Sequence, residues 1–139
     1  MVQLIMGLKG TGKTKALVDL VRKAVAEEHG DVVCIEKDKN LTYDIPYTAR
    51  LIHAAEYGIN NEQLLRGFIS GLHAGNYDIT HVFIDNFYKI LGDTSEENVV
   101  SVLEWLDAFS KRENVAFTIS ATVDPATVGE RILKYRYQI

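Results

Sequence analysis

MGLKGTGKTK, residues 6–15, holds three glycines and three lysines in ten positions, directly after the apolar run VQLIM. Gly7 through Thr14 fit the spacing G-x-x-x-x-G-K-[ST] in full. Each residue type has a chemical reason to stand where it does. Glycines reach backbone angles closed to other residues and let the main chain approach a ligand closely. Successive N–H groups can then converge on an anion, and a helix that starts at once adds the positive end of its dipole. The Lys13 ammonium can reach the outer oxygens of a polyphosphate, and the Thr14 hydroxyl suits Mg²⁺. The pattern predicts a phosphate cradle made by Gly7, Gly10, Thr11, Gly12, Lys13 and Thr14 rather than a flexible turn. Lys9, inside the loop, is expected to face solvent, as most lysines do.

Outward from the loop, the chain alternates between apolar runs and helical periodicity. VQLIM (2–6) reads as a short buried strand. Leu17, Leu20, Val21, Ala24 and Val25 share one face of a helix that starts at Gly12–Lys13 and stops at Gly30. DVVCIE (31–36) reads as a second strand, residues 37–47 as a loop, and ARLIHAA (49–55) as a third strand. Asn60 with Gln63 marks a helix start, followed by the apolar face Leu64, Leu65, Phe68, Ile69 and Leu72. ITHVFID (79–85) is a fourth strand. Thr94 with Glu97 has capping-box spacing before a helix whose apolar face is Val99, Val102, Leu103, Leu106 and Phe109. NVAFTIS (114–120) is a fifth strand, and Asp124–Pro125 can cap a last short helix. The tail ILKYRYQI reads equally as helix or strand. Strands that are continuously apolar and alternate with helices predict an α/β fold: a mostly parallel sheet of about five strands with helices on both faces. Ligands in such sheets bind at the carboxyl ends of the strands.

Composition narrows the setting. The chain has 139 residues, 47% of them hydrophobic, and no linker or repeat divides it, so one domain over 1–139 is expected. The formal charge of −4 gives no overall positive field for nucleic acid. The single cysteine, Cys34, lies in an apolar run and reads as a small buried hydrophobe, which fits a reducing, cytoplasmic setting. No apolar run reaches the ~20 residues of a membrane helix, and MVQLIM is too short for a signal peptide. His29, His53, His73 and His81 have no partners at metal-ligand spacing and read as structural or surface residues.

With the glycine loop between a strand and a helix, the sequence resembles the P-loop NTPases. In them an acidic side chain at the end of a buried strand holds the Mg²⁺ shell. HVFIDN supplies Asp85 in that place. Many P-loop ATPases follow this aspartate with a glutamate that orients water, but here the next residue is Asn86, which cannot take a proton at neutral pH. CIEKDK (34–39) offers Glu36 and Asp38 at the end of the second strand. This order of pieces resembles the RecA-like ATPases over about residues 1 to 122. The resemblance implies a water-positioning glutamate after the second strand, opposite Asp38 or Glu36, and a polar residue sensing the γ-phosphate after the next strand, at Ser120. The long DNA-contacting loops of the recombinases have no counterpart, and the helix after Asp85 carries Glu96, Glu97, Glu104 and Asp107, which argues against nucleic acid.

The expected function is that of a minimal ATP-binding protein, RecA-like, with slow Mg²⁺-dependent hydrolysis. Lys13 and Glu36 or Asp38 would serve the chemistry, Thr14 and Asp85 the metal, and the glycine loop with Ser120 the nucleotide. The absence of an N/T-K-x-D motif favours ATP over GTP. Three alternatives stand beside it: a small-molecule kinase, a non-hydrolysing nucleotide switch that engages a protein partner, and a reduced relative of hexameric motors. The arginines do not cluster into a kinase lid. A homo-oligomer or a protein partner is the form of association the sequence leaves open.

Overall fold

A computed structural model describes residues 1–138, built around five strands: β1 (Val2–Gly7), β2 (Asp31–Glu36), β3 (Arg50–His53), β4 (Ile79–Asp85) and β5 (Ala116–Thr122). Their order in the sheet is β1-β5-β4-β2-β3, and every pairing between them is parallel. All five carboxyl ends therefore lie along one edge.

Side chains alternate across the sheet, so neighbours on one strand serve opposite layers. Ile5, Cys34 and Phe83 pack beneath α1 (Lys13–Glu27), against Leu17, Val21 and Ala24. Leu4, Ile35, Ile84 and Ile119 face the other way. They meet α2 (Glu62–Gly75), α3 (Phe87–Leu91) and α4 (Glu96–Glu113) through Leu65, Ile69, Phe87, Ile90, Leu103 and Leu106. The expected three layers are present. Cys34 is fully buried, and burial raises its thiol pKa, with the Asp85 and Glu36 carboxylates adding to the effect. The thiolate a reactive cysteine needs is suppressed there.

Several boundaries differ from the sequence expectation, each for a local reason. The cap of α2 is Asn61, whose side chain accepts from Leu64 N, and not Asn60. The cap of α4 is Ser95, not Thr94, because Asp93 Oδ1 accepts the Ser95 N–H and folds Thr94 into a turn. Asn114 closes α4 in a left-handed conformation, which delays β5 to Ala116. Residues 54–57 form a 3₁₀ turn and shorten the third strand. Asp124 does cap a turn, accepting from Ala126 N, but that turn is 3₁₀ over Pro125–Thr127. The tail combines both readings. Helix α5 (Glu130–Leu133) ends, and then Leu4 N donates to Tyr135 O and Tyr137 N to Leu4 O, a parallel bridge on the free edge of β1.

The loop after β2 is more anchored than its polar sequence suggests. Leu41 and Ile45 are buried in the α1 layer, while Tyr43 and Tyr47 stand almost wholly in solvent. A chain of hydrogen bonds ties the opposite, amino-terminal edge of the sheet. Gln3 Nε2 donates to Thr118 Oγ1, Thr118 Oγ1 lies 2.7 Å from His81 Nε2, and His81 Nδ1 lies 2.8 Å from Glu28. Every partner is satisfied if the Thr118 hydroxyl donates to a neutral imidazole that donates to Glu28. Burial lowers the His81 pKa below its ordinary value of 6.5, and Glu28 opposes the shift only partly. The unfolded chain then binds the proton more readily than the folded one, so stability is full above about pH 6.5 and falls as the pH drops toward the folded-state value. Thermal midpoints read between pH 7.5 and 5 should decline, and the decline should be shallower in His81→Gln.

Candidate functional site

Residues 8–12 leave β1 and turn directly into α1. Gly10 and Gly12 take φ of 83° and 87°, in the left-handed region, and no heavy atom lies within 4 Å of the Cβ that either would carry. Space beside both glycines is open. Helix α1 also differs from α2 and α4 at its start. They have side-chain caps and acidic first turns. At the start of α1, Gly12 offers no capping oxygen and the first turn holds no acid. The N–H groups that a cap would occupy are left for an anion.

A cavity of about 500 Å³ opens on this loop. Lys9, Gly10, Gly12, Lys13, Thr14 and Lys15 line one wall, and Asn40, Asn86, Lys89, Ser120 and Thr122 the other. Lys13 is buried, and its Nζ donates to Leu8 O at 2.8 Å. Burial lowers the pKa of its ammonium, while Asp85 pulls it part of the way back. Thr11 Oγ1 also donates to Leu8 O, at 2.7 Å, and stiffens the loop. Lys9 is exposed, as expected, and sits at the rim of the cavity. Lys15 pairs with Asp19 at 3.1 Å.

The second wall follows from strand register. Glu36 is the register partner of Asp85 across β2 and β4, and Ile84 that of Ile119 across β4 and β5. The next residues of that last pair are Asp85 and Ser120, and the Ser120 hydroxyl donates to Asp85 Oδ1 at 2.6 Å. Ser120 Oγ in turn accepts from Asn86 N at 3.0 Å. Both residues are buried, and Asp85 reaches the cavity wall beside Ser120 rather than lining it. Glu36 is 1% exposed. Its carboxylate accepts from Asn40 N at 2.7 Å and Leu41 N at 3.2 Å, and lies 3.3 Å from His53 Nδ1. Those donors satisfy a buried charge that would otherwise be costly. They also fold the loop so that Asn40 reaches the cavity. Asp38 is exposed, and neither it nor Glu36 is among the lining residues.

Sequence reasoning did not find Asn40 and Lys89. Both reach the wall through local turns: the buried Leu41 and Ile45 hold one, and Asn86, at φ 59° and ψ 49°, starts the other. A second cavity of about 380 Å³ flanks the loop on its other side, between Gly7, Leu8, Thr11 and the tail residues Arg136 and Tyr137. A third of about 610 Å³, larger than either, lies away from the glycine loop, between Tyr88, Glu96 and residues 126–129. The described residues contain no group of three or more His, Cys, Asp and Glu side chains placed to hold a metal by themselves. None of their helices is long and apolar enough to cross a membrane.

An all-parallel sheet in which one strand separates the glycine-loop strand from the aspartate strand, with an open uncapped cradle at its carboxyl edge, defines a P-loop NTPase. More narrowly, the chain belongs to the ATPase family associated with various cellular activities (AAA), which it matches over residues 3–139. ATP binding is a general property of that family, and its members often oligomerise. No curated protein matches the sequence.

Proposed function

We propose that the chain binds ATP with Mg²⁺ and hydrolyses it slowly. One observation carries this reading: the open glycine loop, Lys13 and Ser120 line a single cavity at the carboxyl edge of the sheet, with Asp85 hydrogen-bonded to Ser120 behind its wall. The donor set fits a hard divalent cation, which takes oxygen ligands: the Thr14 hydroxyl and the Asp85 carboxylate are both oxygens, and phosphate oxygens and water complete a shell. When bound, Mg²⁺ neutralises charge on the β- and γ-phosphates. The backbone N–H groups of residues 10–14 and the Lys13 ammonium bind the phosphates. Lys13 exchanges Leu8 O for a phosphate oxygen as it does so. Ser120, through its 2.6 Å bond, holds the Asp85 carboxylate directly behind the cavity wall.

Because Asn86 cannot act as a base, we assign the orientation of water to the carboxylates at the carboxyl end of β2, Glu36 and Asp38. Glu36 is the nearer to Asp85 by register, and Asp38 is the second candidate. Phosphate release from Mg-ATP tests the assignment. The wild type should turn over with Mg²⁺ and stop with a chelator. The Glu36→Gln and Asp38→Asn double variant should lose about 10²-fold in kcat with ATP affinity nearly intact. Glu36→Gln also disturbs the amides of residues 40 and 41, so thermal midpoints are read alongside. A double variant that keeps the wild-type rate would remove both carboxylates from the chemistry. A wild type that binds Mg-ATP tightly without turnover would instead make the chain a nucleotide switch, and label passed to a nucleoside or metabolite would make it a kinase.

A further inference from the structure

The wall facing the glycine loop has a gap in its chemistry. Asn86, Ser120 and Lys89 line the same cavity as the glycine loop. Ser120, the side chain expected to sense the terminal phosphate, is already committed. Its proton goes to Asp85 and its oxygen accepts from Asn86 N. Asn86 brings no charge. Lys89 is the cation on this wall, and it arrives there by construction. The left-handed Asn86 turns the chain at the end of β4 and opens α3, and Lys89 N donates to Asn86 O at 3.1 Å. Asn86 and Lys89 both line the cavity that opens on the glycine loop. Phe87, Ile90 and Leu91 are buried at 1% exposure or less and fix that short helix in the core, while Lys89 itself is exposed at the cavity.

From this we infer that Lys89 is a cis-acting cation for the terminal phosphoryl group, contacting its outer oxygens and gaining strength as charge builds on them in the transition state. The inference rests on the ATP reading above. In the step, the oxygen of water forms a bond to the terminal phosphorus. The bond from that phosphorus to the bridging oxygen breaks, and its electron pair remains on the β-phosphate of ADP. The water proton leaves to the released phosphate, and Lys89 keeps its three protons throughout.

The test is calorimetric and does not depend on turnover. Mg-ADP, with and without aluminium fluoride as a mimic of the phosphoryl group in transit, is titrated into the wild type, Lys89→Ala and Lys89→Arg. Mg-ADP should bind all three within about twofold, because it lacks the group Lys89 touches. The aluminium fluoride complex should bind Lys89→Ala at least tenfold more weakly, with Lys89→Arg recovering most of the loss. A parallel fall of about 10²-fold in kcat, with little change in KM, is expected where turnover is measured. Equal binding of the aluminium fluoride complex by wild type and Lys89→Ala would overturn the role of Lys89 alone. So would a wild type that binds Mg-ADP but gains nothing from aluminium fluoride. A wild type that binds no Mg-ADP would overturn the nucleotide reading, and the role of Lys89 with it.

Discussion

Lys13→Ala should reduce Mg-ATP affinity by two orders of magnitude or more while leaving the fold intact. Charge-assisted contacts to phosphate are about twice as strong as neutral ones, and Lys13 is the cation proposed to meet the β- and γ-phosphates. Its Nζ is poised at Leu8 O, inside the loop, so no rearrangement of the backbone is needed to deliver it. The stability effect should be small and favourable if anything. The ammonium is buried enough for its pKa to fall, and removing it removes a desolvated charge. Titration of Mg-ATP by calorimetry, with a thermal melt as the control for folding, reads both. Unchanged affinity in a folded variant would move the nucleotide off this loop.

Asp85→Asn should be the second large loss, and a different one. Asparagine fills the same space and can still accept the 2.6 Å bond from Ser120, so the thermal midpoint should change little. What disappears is the negative charge at the end of β4 that would hold the metal shell beside Thr14. Mg²⁺-dependent turnover should fall by at least about 10²-fold, a scale set by the stabilisation that metal ions and oriented donors give to phosphoryl transfer. Affinity for nucleotide should become nearly indifferent to Mg²⁺. Lys13 also loses the carboxylate that raises its pKa, so binding at alkaline pH should weaken further in this variant. A collapsed midpoint with normal activity per folded molecule would make Asp85 structural.

The parts of this site that the sequence exposes are those fixed by short-range spacing. The glycine loop is readable because eight consecutive residues carry the whole requirement. The position of Asp85 is readable because the charge closes the apolar run VFI, and β4 ends there. The continuous apolar runs also betray a sheet covered on both faces. Other features depend on distant residues. That Ser120 spends its hydroxyl on Asp85 follows from β5 lying beside β4, which no local pattern states. That Glu36 is clasped by Asn40 N and Leu41 N depends on a loop whose two buried residues look unremarkable among polar ones. Helix α3 has five residues, too few to show a period, and it takes with it Lys89. The shifted caps at Asn61 and Ser95 have a similar origin. In each case a neighbouring Asn or Thr offers the same chemistry one position earlier, and the backbone outside the helix chooses between them.

The central claim is that ATP lies along residues 7–14 with Mg²⁺ between Thr14 and Asp85. A crystal structure with Mg²⁺ and a non-hydrolysable ATP analogue tests it most directly. The account predicts phosphates against the N–H groups of residues 10–14, Lys13 Nζ moved from Leu8 O onto a β- or γ-oxygen, and Thr14 Oγ1 and Asp85 in the metal shell. A nucleotide seated in another cavity, or Lys13 still bound to Leu8 O with the analogue in place, would contradict it.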